Sequence, residues 1–160
     1  MTQTLTKTPT PAGLPASTLN RVLDEGYGPG AWYGADLRTA TEDVPAAVAY
    51  RRPAPGRHNV AEIALHHAYW ATQLAAKLTG TKPAAFPLEG EDWFELNDES
   101  RLSWSAVRKT LAAAHASLGK AVLGKSPLGE AERFDLVIGI TGHAAYHAGQ
   151  IQLVKKLVEG

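Results

Sequence analysis

The 160-residue chain contains no cysteine. That absence excludes disulfides, cysteine-ligated iron–sulfur clusters, zinc fingers and a cysteine nucleophile together. Any thiol chemistry would have to draw its sulfur from a substrate. Net charge is missing too, since 16 basic residues balance 16 acidic ones. A nucleic-acid binder normally carries a basic excess or stripe, so neither DNA nor RNA is expected as a partner. No hydrophobic run approaches the ~18 apolar residues of a membrane span, and no membrane partner is expected. Period-two alternation, the mark of a half-buried strand, is nowhere sustained. The leading stretch M-T-Q-T-L-T-K-T-P-T-P-A-G lacks the apolar segment of a signal peptide. It reads as a disordered lead over residues 1–14, followed by one domain over residues 15–160, with the cytoplasm as the expected address.

What is present is helical. Hydrophobic residues make up 44% of the chain and charged ones 20%, a globular balance that supports a single core. Ser17 to about Glu25 forms a first amphipathic helix with Leu19, Val22 and Leu23 inward, stopped by Gly26, Gly28, Pro29 and Gly30. Short helical pieces follow around Ala35–Arg38 and Val44–Tyr50. A second long helix starts at Asn59, an N-cap whose capping box Glu62 can complete, and ends at Gly80. Its inner stripe runs through Val60, Ile63, His66 or His67, Trp70, Leu74 and Leu78. The connection from Thr81 to Leu96 is long for a compact domain, and its Trp93-Phe94 pair is placed to cover a bundle end as a lid. Asn97 or Asp98 caps a third helix with Leu102, Val107, Leu111, Ala114, Leu118 and Val122 buried. The fourth spans roughly Glu130 to Glu159. The fold class is therefore all-α, a four-helix bundle with short extra helices between the first and second long helices.

Two of the six histidines, His143 and His147, stand four residues apart in G-H-A-A-Y-H-A-G-Q-I. Residues i and i+4 share a helix face, so both imidazoles fall on the inward stripe with Leu136, Ile140, Ile151, Val154 and Val158. A third histidine, from the His66-His67 pair, lies on the second long helix; periodicity alone is compatible with either. Three neutral imidazoles from two helices would hold a divalent metal and leave a coordination position open. The spacing is not H-E-x-x-H, because Ala144, Ala145 and Tyr146 lie between the histidines and no glutamate base is present. His58 is expected to be solvent-exposed and His115 to border the core. Glu62 either closes its capping box or orients His66, while Tyr69, Tyr146 and Gln150 either hydrogen-bond near the ligands or fill space.

At these residues the chain resembles the DinB-like (YfiT-like) superfamily of four-helix-bundle metalloproteins. The resemblance rests on N-V-A-E-I-A-L-H-H-A-Y-W at Asn59–Trp70 and G-H-A-A-Y-H-A-G-Q-I at Gly142–Ile151. A-W-Y-G at Ala31–Gly34 and R-R-P-A-P-G ahead of Asn59 also fit, and the likeness runs from about residue 15 to residue 158. It implies His66, His143 and His147 as the metal ligands, zinc or nickel as the cofactor, a small-molecule substrate and a homodimer. Some relatives are thiol S-transferases or thiol-dependent isomerases that use low-molecular-weight thiols; others are regarded as metal-dependent hydrolases or linked to stress responses. Certain isomerase-type relatives carry glutamate where His143 stands.

Metal-dependent thiol S-transfer is the expected activity, since a three-histidine site keeps the full charge of its cation and can lower a thiol's pKa. Arg51, Arg52 and Arg57 could attract a carboxylated thiol. Hydrolysis by a metal-activated water is the alternative, and a non-catalytic, metal- or ligand-binding stress protein the third reading.

Overall fold

The computed structural model describes residues 13–160. The lead expected over residues 1–14 lies, up to residue 12, outside the described residues. Six helices and no strand occur among the described residues: α1 (Ala16–Tyr27), α2 (Leu37–Glu42), α3 (Ala46–Ala49), α4 (Val60–Thr79), α5 (Trp104–Leu123) and α6 (Glu130–Glu159). The four long ones form the bundle, and α2 and α3 are the short insertions between its first two members.

Local chemistry sets most boundaries. Asp36 caps α2 by accepting from the Thr39 N–H at 2.8 Å. Asn59 caps α4, accepting from the Glu62 N–H at 2.9 Å while the Glu62 carboxylate receives the Asn59 N–H. The Asn59 amide also donates to the Tyr50 and Leu96 carbonyls at 3.2 and 2.6 Å, so one buried side chain ties α3, α4 and the α4–α5 connection together. Gly80 ends α4 in the left-handed region at φ 68°, where a Cβ would be strained.

The start of α5 departs from the sequence expectation. Ser103, rather than Asn97 or Asp98, is its N-cap and accepts from the Ala106 N–H at 3.2 Å. Asp98 is spent on a turn, accepting from the Ser100 N–H at 2.7 Å, and Asn97 receives Arg52 at 3.0 Å. Tyr50 donates to the Leu102 carbonyl and anchors this segment outside the helix.

α4 packs most extensively on α5, and α6 lies against α1, α4 and α2. Leu65, Leu78, Leu111, Leu118 and Ile151 are fully buried between the long helices. Burying each such side chain stabilises the fold by about 1.5–3 kcal/mol relative to leaving it in water. Trp104 closes one end, its indole N–H donating to the Val44 carbonyl at 2.7 Å. Trp70, expected on the inner stripe, instead emerges at the rim with 42% exposure. The packing leaves α4 and α6 side by side along the stretch that carries the histidines.

Candidate metal centre

His66 and His67 occupy the middle of α4, and His143 and His147 face them from α6. The Nε2 atom of His143 lies 3.1 Å from Nε2 of His66 and 3.0 Å from Nε2 of His147. All three ligand atoms fall within 4.8 Å of one another. Metal–nitrogen bonds of about 2.05 Å at tetrahedral angles would separate such nitrogens by about 3.3 Å, so His143 would have to part from each of the other two rings by only a few tenths of an ångström.

Each ring is held from behind through its Nδ1. His66 Nδ1 lies 3.0 Å from the Asp92 carbonyl and 3.1 Å from the Asp92 carboxylate, both acceptors, so it donates and its Nε2 is a bare lone pair. His147 Nδ1 faces the Gln150 amide oxygen at 2.8 Å and is fixed in the same tautomer. His143 Nδ1 meets His67 Nδ1 at 2.9 Å, and one of the two must donate. If His143 donates, three lone pairs converge with no proton among them, an arrangement that a cation relieves. If His67 donates, the His143 Nε2 proton sits at the centre and serves one of the other two rings. The donor set therefore fits a divalent metal.

Electrostatics favour the same state. Burial pushes the His143 pKa down to about 4, helped by the neighbouring His147 and His66. Burial likewise takes His147 to about 4, against the opposing hydrogen bond to Gln150. His66 is lowered by burial, with Asp92 pulling the other way, and His67, buried completely, lies well below the usual imidazole range. All four are neutral at pH 7, the form in which imidazole binds metals.

The other expected site residues fall in different places. Glu62 does not reach His66. It closes the capping box, takes hydrogen bonds from Arg52 and from the Leu96 N–H, and meets His58 Nδ1 at 3.0 Å. Burial alone would raise its pKa, but these partners outweigh it and hold the carboxyl below the usual range. Arg52 is consequently committed to Glu62 and Asn97 and is not a free anchor for an anionic thiol. Tyr69 points into an aromatic group with Phe86 and Phe94. Tyr146 is 66% exposed and only brushes His147 edge-on, its ring centroid 5.0 Å away. Gln150 alone of the four hydrogen-bonds to a converging histidine.

The sequence reading did not single out Asp92, and it weighed His67 only as an alternative to His66 and Trp93 only as part of a lid. Asp92 sits at φ 63°, uncommon for a residue with a side chain, and its carboxylate also accepts the Trp70 indole N–H at 2.7 Å. Trp93 is stacked between His58 and His66, with centroids 3.6 and 3.9 Å away. The Trp93-Phe94 pair thus covers the flank of α4 at the histidines rather than a bundle end. His58, half-exposed, is held there by Trp93 and Glu62. The only signals in sequence were the His66-His67 doublet and the turn-forming G-E-D-W run at Gly90–Trp93.

Beside the cluster, a groove of ≈ 480 Å³ runs between α4 and α6, lined by His66, Trp70, Leu74, Leu136, Ile140 and His143 among others. Its size suits a small-molecule ligand, and its walls are mainly apolar. A second cleft of ≈ 450 Å³ lies between α2 and α5, with Arg38, Arg108 and Lys109 at its edge and none of the converging histidines.

Fold and site together define a helix-bundle protein whose three inward histidines could hold a metal beside an open groove. A match to the DinB superfamily spans residues 31–151, and the chain belongs to that superfamily. A solved structure described as the conserved protein of a locus from Enterococcus faecalis is similar in fold, with a TM-score of 0.59 and 18% identity over 91% of this chain and 95% of that one. Comparison with curated proteins found no match.

Proposed function

We propose that this protein is a metal-dependent S-transferase that joins a low-molecular-weight thiol to an electrophile with an apolar body. The observation that carries the reading is the convergence of three Nε2 atoms, each ring braced through Nδ1, at the mouth of an apolar groove. His66, His143 and His147 would hold a divalent cation, zinc or nickel by the chemistry of imidazole donors. Such a cation would lower the pKa of a thiol at the open position and supply thiolate at neutral pH.

The remaining work falls to the chain itself. Asp92, His67 and Gln150 keep the rings in register, so little reorganisation is needed when a ligand arrives. Trp93 shields the His66 ring from water on one side. Trp70, Leu74, Leu136 and Ile140 would take the electrophile's apolar part and hold its reacting carbon near His66 and His143. The balance is simple: thiol and electrophile lose H and the leaving group X as HX, and one carbon–sulfur bond replaces the carbon–X bond. Since the chain has no cysteine, that sulfur is external.

The test uses untagged protein loaded with zinc or nickel, offered bacillithiol, mycothiol or glutathione with a chlorobimane electrophile. Conjugate should form with at least one thiol and disappear in His143→Ala. Metal-loaded protein that turns over no thiol ends the transferase reading. Release of acid from ester or amide panels, lost in His147→Ala, would establish hydrolysis in its place. A steep loss of thermal stability on chelation with no reaction of any kind would favour a metal-stabilised binding protein.

A further inference from the structure

We infer that the cleft between α2 and α5 is a binding site for a small organic phosphate, a phosphate monoester whose carbon skeleton carries a hydroxyl or amino group. The cleft has a volume of ≈ 450 Å³, room for a molecule of that size, and lies where the end of α1 meets α2 and the first half of α5. None of its lining residues belongs to α4 or α6, so it shares no side chain with the histidine centre.

Charge selects the ligand. Arg38 from α2 and Arg108 and Lys109 from α5 bring three cations to one rim, and Glu42 is the single carboxylate among the lining residues. None of these four side chains is tied into an ion pair among the described residues, whereas Arg52 is committed to Glu62. The chain as a whole has no net charge, so the local excess belongs to the cleft. Three positive charges against one negative leave two, close to the charge of about −1.5 to −2 that a phosphate monoester carries at neutral pH. Two guanidinium groups suit its terminal oxygens, because each offers a fork of N–H donors. A phosphodiester has one charge, and a dicarboxylate spreads its two over separate ends.

The floor of the cleft is organised before a ligand arrives. The Tyr27 ring stacks on His115 with a centroid distance of 3.9 Å, and His115 in turn meets the Asp24 carboxylate at 2.9 Å. Burial raises the Tyr27 pKa against the lowering pull of Arg38, so the hydroxyl keeps its proton at neutral pH and can donate. Ser105 presents another hydroxyl from α5. Leu111, 2% exposed, gives the carbon skeleton an apolar surface, and Glu42 accepts from the ligand's hydroxyl or amino group. Cations, phenol and carboxylate thus match the three parts of one molecule.

Titration calorimetry at low salt, on the untagged full chain with ribose 5-phosphate and phosphoethanolamine as probes, should give one site per chain. Affinity should be the same after chelation and in His143→Ala, which separates this site from phosphate bound at a metal. Dimethyl phosphate and succinate should bind about tenfold more weakly or worse. Arg38→Gln and Arg108→Gln, both exposed at the rim, should each weaken binding about tenfold or more with thermal stability unchanged. Tyr27→Phe should weaken it severalfold, and Lys120→Gln, exposed farther along α5, should bind as the wild type does. Absence of binding to either probe at millimolar concentration overturns the inference, as does equal affinity for dimethyl phosphate or succinate. Binding that survives in the Arg38→Gln, Arg108→Gln double variant, or that vanishes with the metal, overturns it too.

Discussion

The helix α4 faces two neighbours and meets them with different chemistry. The pairing with α5 is the broadest in the bundle, and both helices bury leucines completely, Leu65 and Leu78 on α4 and Leu111 and Leu118 on α5. Toward α6 the same helix places His66 and His67 against His143 and His147, four imidazoles where leucines would pack without any polar group to satisfy. Each imidazole nitrogen on this seam needs a partner, since a buried polar atom left without one costs about 1–3 kcal/mol, a requirement an apolar seam does not have. The geometry of the histidine seam is specified in detail, with an acceptor or a second imidazole behind each converging ring. The contrast separates a surface that holds the fold from one arranged to receive a ligand.

The largest effect should come from breaking the apolar seam. Leu118→Ala removes most of a side chain with no exposure and should cost about 2–5 kcal/mol in denaturant unfolding, the range for buried leucine truncations. Its metal content should stay equal to that of the wild type, since Leu118 lies on α5. A variant that loses stability and metal together would show that the two seams are not separable.

The second effect belongs to the histidine seam. A metal bound only by the folded protein stabilises it by about 2.7 kcal/mol at a free concentration one hundred times its dissociation constant. Wild-type protein should show that gain in a melting series with added zinc or nickel. His143→Ala should show none, and elemental analysis should find no metal retained. Equal stabilisation in both would remove the three-histidine assignment.

The same contrast explains how much could be read from the sequence. The apolar seam and the paired histidines of α6 were legible because periodicity is local: Leu111, Ala114, Leu118 and Val122 recur at helical steps, and so do His143 and His147. The Asn59–Glu62 capping box and the Gly80 stop were legible for the same reason. Asp92 and Trp93 were not, since they reach His66 across 26 and 27 positions through a loop with no repeating pattern. The cap of α5 was misplaced because Asn97 and Asp98 are drawn into contacts with Arg52 and Ser100. Arg52 itself was read as a free charge because its partner Glu62 lies ten residues away. Trp70 followed the helical stripe in sequence, yet its indole is held at the rim by Asp92.

A third, smaller effect tests the bracing behind the rings. Gln150→Leu keeps the side chain's approximate volume and removes the oxygen that receives the His147 Nδ1 proton. Loss of such an outer partner should weaken metal affinity about 10–100-fold in competition titrations, with stability of the metal-free protein nearly unchanged. An unaltered affinity would reduce Gln150 to a space-filling role.

The smallest effect lies on α5 and concerns a histidine outside the centre. His115 stacks on Tyr27 with a centroid distance of 3.9 Å and meets the Asp24 carboxylate at 2.9 Å. Burial lowers its pKa and outweighs the opposing pull of Asp24. Above the unfolded imidazole value of about 6.5, the ring is neutral in both states and contributes no pH dependence. As the pH falls below that value the unfolded chain takes up the proton first, so stability drops until the folded pKa is passed, and then levels off. His115→Gln should remove this component, so the stability advantage of wild type over variant should shrink as the pH falls below 6.5. The site histidines are present in both proteins and cancel in that difference. An advantage that instead grows toward acid would mean that the charged ring is favoured in the fold, with Asp24 outweighing burial.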